Sequence, residues 1–159
     1  IMVQYHAFSG GPLSNFYPAK FIVDGITFCN GEQYMMYVKA VIFKDDDIKH
    51  KILTETNPKK IKALGRLVKN YDDKTWYEEG LKSGELRRGW IEKFKQNPKC
   101  LNELRKTIGK NIVEASVWDK KWGVGLSPND PKIQDPMQWK GDNLLGIELD
   151  KIRTELFAI

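Results

Sequence analysis

At 159 residues, 41% of them hydrophobic and 11% aromatic, the chain suits one compact domain over residues 1–159 and has apolar content that a disordered chain lacks. Its 26 Lys and Arg against 21 Asp and Glu leave a formal charge of +5, which favours anionic partners such as phosphates, nucleotides or nucleic acid, although lysines scattered over helix surfaces explain most of it. No apolar run of 18 or more residues offers a membrane span and the N-terminus lacks the layout of a signal peptide, so a cytoplasmic protein with no membrane partner is expected. Cys29 and Cys100 form no CxxC and read as buried free thiols. His6 and His50 are the only histidines, so zinc spacing is missing and no metal or other cofactor is expected, a site of carboxylates alone staying open.

The first distinctive stretch is "PLSNFYP", residues 12–18, whose two prolines restrict the backbone at both ends. Ser14, Asn15, Phe16 and Tyr17 offer a hydroxyl, an amide and two aromatic faces, suited to a structural plug or to half of a small-molecule site. "AKFIVDGITFCN" alternates and turns at Asp24-Gly25, a two-residue hairpin signal. "NGEQYMMYVKAVIF" starts a helix with Asn30 as N-cap and Glu32 in the first turn. A second helix is expected over "TNPKKIKALGRLVKN", capped by Thr56 or Asn57, with Ile61, Leu64 and Val68 on one stripe. "DKTWYEEGLKSGELRRGWIEKFKQ" is helical in composition, but Gly80, Gly84 and Gly89 make it one helix with a weak point or two shorter ones. A further helix begins near Asn97-Pro98 and "NIVEAS" reads as a short buried strand. Residues 127–142 look like loop, and "NLLGIELDKIRTEL" forms a last helix with Leu145, Leu149, Ile152 and Leu156 on one face. The expected class is α+β, mainly helical, with a short β-hairpin or small sheet.

Two constellations carry chemistry. Glu32 and Lys39 are seven residues apart, which puts them on one helix face two turns apart, with Met36 and Phe43 on the same side. A carboxylate and an amine on a partly apolar face can be pushed from their usual protonation states, though taken alone the pair reads as two solvated charges. The other is "VWDKKWGVGL", residues 117–126. Here Gly123 and Gly125 permit close backbone approach, Trp118 or Trp122 can stack on a base, and Asp119 can act as acid, base or ribose-hydroxyl acceptor. A tight turn with core tryptophans fits the same letters. Neither a Rossmann fingerprint nor a P-loop is present. Trp76 reads as core or as a ring at a pocket mouth, and Arg66 as a surface charge or a phosphate fork. Gly146 inside the last helix signals close packing or ligand approach.

In this order the pieces resemble the NADAR family: "LSNFYP", the hairpin, "GEQYMMYVKAVIFKD", "KALGRLVKNYDDKTW", "EKFKQNP", "VEASVWDKKWGVGL" and "WKGDNLLGIELDKIR", from about residue 8 to residue 153. The resemblance implies a compact, mainly helical domain that cleaves an N-glycosidic bond to a phosphorylated ribose. Family activities include hydrolysis of ribosylaminopyrimidine phosphates from early riboflavin synthesis and removal of ADP-ribose from guanine. It associates the positions of Glu32, Lys39, Trp76, Asp119 and Trp122 with the active site. On this footing Glu32, Lys39 and Asp119 are the expected catalytic residues. Asn15, Phe16, Tyr17, Arg66, Trp76, Trp122, Gly123 and Gly125 are the expected substrate contacts. The chain departs from the family pattern at Asp150, where members often carry Met, and in the glycine-rich, basic "GLKSGELRRGW".

Breaking a C1′–N bond builds positive charge on the sugar, which a carboxylate stabilises while activating water from the opposite face. Glu32 is expected in that role. Lys39 either holds a phosphate or the departing base electrostatically, or attacks C1′ as a neutral amine to form a Schiff base, the option the resemblance favours. ADP-ribosylated guanine, on DNA or a nucleotide, is the expected substrate; a phosphoribosyl aminopyrimidine is the alternative. Two other classes fit the same letters: a non-catalytic sensor of ADP-ribose or NAD, and a nucleic-acid-binding module without a pocket.

Overall fold

The computed structural model describes residues 3–159. In chain order the strands and helices are β1 (Tyr5–Phe8), β2 (Phe21–Val23), β3 (Ile26–Phe28), α1 (Gly31–Ile42), α2 (Asp46–Thr54) and α3 (Pro58–Gly65). Next come a short α4 (Asp73–Thr75) running into a π-helical stretch (Trp76–Lys82), then α5 (Glu85–Gln96), α6 (Pro98–Lys106), β4 (Asn111–Glu114) and α7 (Leu144–Phe157). The mainly helical α+β class is as expected. Contacts divide the chain into two compact units, Asn15–Pro98 and the two segments on either side of it.

In the Asn15–Pro98 unit, α1 is the central element, packed by α2, α3, α5, β3 and the π-helical stretch. Its caps explain its place. The Asn30 side chain accepts the Gln33 amide at 2.8 Å, as its sequence position suggests. The buried Gln33 amide group then donates to the carbonyls of Ile52 and Glu55, each at 3.0 Å, fastening α1 to the end of α2. The hairpin turns at Asp24 and Gly25, with φ of 50° and 80°, the pairing expected of a two-residue turn. Arg88 on α5 grips the Asp24 carboxylate at 2.8 and 3.2 Å, and the Gln96 side chain pairs with both backbone groups of Ile22.

Two features depart from the sequence reading. Helix α2 has no counterpart in it; Asp45 caps α2 by accepting the Ile48 amide at 3.1 Å. Helix α3 ends at Gly65 rather than running on, because the other oxygen of Asp45 captures the Lys69 amide at 3.0 Å and Asn70 turns left-handed at φ 60°. Leu67 is consequently left 62% exposed. The glycine-rich stretch takes the second of its two expected forms, two helical pieces that break at Gly84, with φ of 84°.

The flanking unit is built on β1 and β4, which pair in parallel, with α7 packed on β4. Strand β1 lies in what the sequence reads as an opening loop. Val113, Ala115, Val124, Leu126 and Ile133 form its core, with Tyr5, Ala7 and Trp139 against them. Leu145, Leu149 and Ile152 of α7 are buried as expected, and Leu156 is half-buried. A Cβ added at Gly146 would overlap the Ile112 carbonyl oxygen, so this glycine serves close packing.

Candidate active site

Within the Asn15–Pro98 unit the structure joins Asn15 to Glu32. The Asn15 carbonyl accepts the Glu32 amide at 3.0 Å, and its side chain lies so close to Gly31 that an added Cβ would overlap Oδ1 and come within 2.9 Å of Cγ. Trp90 fixes the same turn from the other side, its indole N–H donating to the Gly31 carbonyl at 3.0 Å. Glu32 is therefore a buried carboxylate on an immobilised first turn, where the helix dipole favours negative charge. Phe16 and Tyr17 are half-buried beside Asn15 in the chain.

Lys39 stands about 10 Å further along the α1 axis, seven residues at about 1.5 Å each. Between the two, Met36 is covered by α3: a Cβ added at Gly65 would overlap the Met36 sulfur. Glu32 and Lys39 thus stand on either side of a dry contact. Lys39 is half-buried, with Nζ 4.5 Å from the centroid of the Tyr71 ring. The Tyr71 hydroxyl donates to Asp73 at 2.6 Å, and burial, then that carboxylate, push its pKa well above the usual phenol range. Arg66 is exposed at the end of α3. Trp76 is buried, and a Cβ at Gly80 would come within 2.9 Å of its ring. A recess of about 290 Å³ lies near the end of α1, lined by Phe43, Lys44, Asp45, Asp46, Asp47, Lys69 and Asn70.

In the flanking unit Asp119, Trp122, Gly123 and Gly125 share one turn. Asp119 Oδ1 accepts the amides of Lys121 and Trp122 at 3.0 and 2.8 Å, and its own amide donates to Ser116 Oγ at 3.3 Å. A Cβ at Gly123 would meet the Glu114 and Asp119 carbonyl oxygens at 2.9 and 3.0 Å. At Gly125, φ 71°, it would meet the Lys140 and Lys120 side chains at 3.0 and 3.1 Å. Both glycines are required by the chain's own close approach. Trp122 is half-buried, whereas Trp118 is 94% exposed.

Two residues that the sequence reading passed over organise these segments. Asn143, left-handed at φ 55°, accepts the Glu114 amide and donates to the Ile112 carbonyl, each at 3.0 Å, and so pins the start of α7 to β4. Tyr71 sits in "NYDDKTW" without helical or strand periodicity to single it out. Among the described residues no group of three or more His, Cys, Asp or Glu side chains is placed to hold a metal ion, and no helix is long and apolar enough to cross a membrane.

The chain matches the NADAR domain over residues 4–157. It is similar to protein irg-1 of Caenorhabditis elegans, 39% identical over 161 aligned positions that cover 91% of this chain and 75% of that protein. It is also similar to an N-glycosidase of Acanthamoeba polyphaga mimivirus, 41% identical over 128 positions, 80% of this chain and 74% of that one. The NMR structure of the E. coli protein YbiA superposes with a TM-score of 0.76 at 26% identity, covering 99% of this chain and 88% of the other.

Proposed function

The chain belongs to the NADAR domain family, and from that premise we propose that it removes ADP-ribose from guanine, on DNA or on a nucleotide, by hydrolysing the bond between base and ribose. The coarser activity follows from kinship: with an N-glycosidase among its relatives, the protein is a hydrolase of N-glycosyl bonds acting on a glycosylated base. The observation supporting a catalytic role for α1 is Glu32, a carboxylate buried on a turn that Asn15 and Trp90 hold in place.

As the C1′–N bond lengthens, charge moves from sugar to base and the sugar becomes an oxocarbenium-like cation. Glu32 faces that charge and takes a proton from the attacking water, which ends on C1′ as hydroxyl; the base leaves with the bond's electron pair and is protonated. Burial strengthens the interaction, and a turn already fixed needs no reorganisation when charge appears. The net charge of +5 is compatible with a phosphate-bearing substrate.

The test is turnover of guanine-linked ADP-ribose by the wild type, Glu32→Gln and Lys39→Ala, alongside a ribosylaminopyrimidine phosphate. Glu32→Gln is expected to lose about 10²- to 10⁴-fold in kcat. Wild-type rates in both variants would remove this mechanism. Faster turnover of the aminopyrimidine substrate would move the assignment to riboflavin intermediates.

A further inference from the structure

The turn that follows β4 displays an indole to water. Trp118 is 94% exposed and Val117 beside it 53%, although tryptophan has more apolar surface to bury than any other side chain. The backbone beneath them is braced. Asp119 Oδ1 accepts the amides of Lys121 and Trp122, the Val124 amide donates to the Glu114 carbonyl at 3.0 Å, and the Lys120 carbonyl accepts the Asp142 amide at 3.0 Å. A Cβ at Gly141 would overlap the carbonyl oxygens of Gly123 and Lys120, so the adjoining loop lies directly on this turn. An indole carried on a fixed backbone loses little freedom when a second flat ring stacks on it.

Cations stand beside the indole. Lys120 is two residues further along, and the stems of Lys120 and Lys140 meet the same point above Gly125, at 3.1 and 3.0 Å. Both lysines are exposed, and among the described residues neither takes part in an ion pair. Lys121, also exposed, shares the turn. The carboxylates nearest in the chain are Asp119, whose Oδ1 is occupied by two amides, and Asp142 on the adjoining loop.

We propose that this turn is a docking surface for a single strand of nucleic acid: one unpaired base stacks on Trp118, and the phosphates on either side of it lie on Lys120 and Lys140. An indole face with ammonium groups next to it is complementary to a base and its flanking phosphates, whatever the base, and a base inside a duplex has no free face to offer. Small ligands need a concave site that buries most of their surface. An indole standing almost wholly in water gives one open face, which suits a polymer whose neighbouring nucleotides add their own contacts. The inference goes beyond the glycosidase reading, because an unmodified strand binds here with no bond broken. Since Asp119 follows Trp118 in the same turn, a strand so held also brings a neighbouring nucleotide up to that carboxylate, a step that rests on the glycosidase reading while the docking does not.

Fluorescence anisotropy with a labelled, unmodified DNA strand of about 12 nucleotides tests the surface without turnover. The wild type is expected to bind, with an affinity that falls about sevenfold between about 50 and 200 mM salt for two phosphate contacts. Trp118→Ala is expected to weaken binding about tenfold at either salt concentration. Lys120→Gln combined with Lys140→Gln should leave an affinity that hardly responds to salt, and the same sequence as a duplex should bind more weakly than the strand. No binding by the wild type, an unchanged affinity in Trp118→Ala, a salt response that survives the double Gln variant, or a duplex bound as well as the strand overturns the proposal. Displacement of the strand by free ADP-ribose also overturns it, by making the turn part of a small-ligand site. So does a wild-type dimer that Trp118→Ala dissolves, which gives the indole to a second copy of the chain. Circular dichroism checks the fold of Trp118→Ala; should it fail, Trp118→Phe, expected to bind with intermediate affinity, repeats the test. Absent strand binding leaves the glycosidase reading standing, and absent turnover of guanine-linked ADP-ribose leaves the binding results standing.

Discussion

Replacing Gly89 by Ala in the middle of α5 would ordinarily stabilise a helix by about 1 kcal/mol, through better propensity and a less flexible unfolded chain. Here the sign should reverse. The added Cβ would overlap three carbons of the Tyr34 ring, and that ring has nowhere to go. Its hydroxyl donates to the Glu85 carbonyl at 3.0 Å, its edge-on contact with Phe28 has centroids 5.1 Å apart, and it is 2% exposed. Overpacking a fixed site costs about 1–3 kcal/mol, and a three-atom overlap belongs at the upper end. The net is a loss of about 2 kcal/mol, or about 4–8 °C in Tm for a chain of this size. Urea unfolding at constant m-value measures it. The double-mutant cycle sharpens the test: in a Tyr34→Leu background, with the ring gone, Gly89→Ala should turn stabilising by about 1 kcal/mol. A neutral or stabilising Gly89→Ala in the wild-type background would refute the argument that Tyr34 dictates this glycine.

Two further outcomes are expected. Asn143→Gly removes the partners of the Glu114 amide and the Ile112 carbonyl, at about 1–3 kcal/mol each, and Asn143→Ala adds about 1 kcal/mol for a left-handed residue with a Cβ; urea midpoints of the two variants separate the contributions, and equal midpoints would mean the φ of Asn143 is not strained. Stability should also fall in acid. Asp24 is held below the usual carboxylate range by Arg88, Asp45 by the Lys69 and Ile48 amides, Glu55 chiefly by the Asn57 amide and Asp72 by Thr75, so their contribution is present above the unfolded-state value of about 4 and disappears as pH falls through the folded values. Asp150, raised by burial, works in the opposite sense. Urea midpoints should drop below about pH 5, with a shallower slope in Asp45→Asn; a flat profile in the wild type would contradict the assignment.

Local signals in the sequence translated into structure wherever one residue decides the geometry by itself. Asn30 and Asn57 cap the helices that follow them, and Asp24-Gly25 turns the hairpin. What failed to translate depends on distant partners. Strand β1 is four residues long and pairs with β4 more than a hundred residues away, so "YHAF" alone carries no strand signal. Helix α2 hides behind an acidic run, with Ile48 and Ile52 its only fully buried side chains. The premature end of α3 is set by Asp45, whose reach to Lys69 no helical periodicity encodes.

The candidate site was legible as a set of residue types and much less so as geometry, and the glycines show why. A glycine in a sequence signals either a left-handed backbone or a Cβ without room, and in the second case it does not state what fills the space. At Gly31 the neighbour is the Asn15 side chain, at Gly89 the Tyr34 ring, at Gly123 two carbonyl oxygens of the same loop. The "WGVG" motif therefore acts first on the protein itself. It brings the carbonyls of Lys120, Lys121, Trp122 and Gly123 onto the amides of Asp142, Leu144, Leu145 and Asn143, at 3.0–3.2 Å, across the start of α7. Amides of that kind form a ready phosphate cradle when left open. Here the chain's own carbonyls occupy them, and the start of α1 is likewise taken up by Asn15 and Asn30. For the phosphorylated substrate proposed above, side-chain cations rather than these occupied amides would supply the positive charge, and α1 contains one, Lys39.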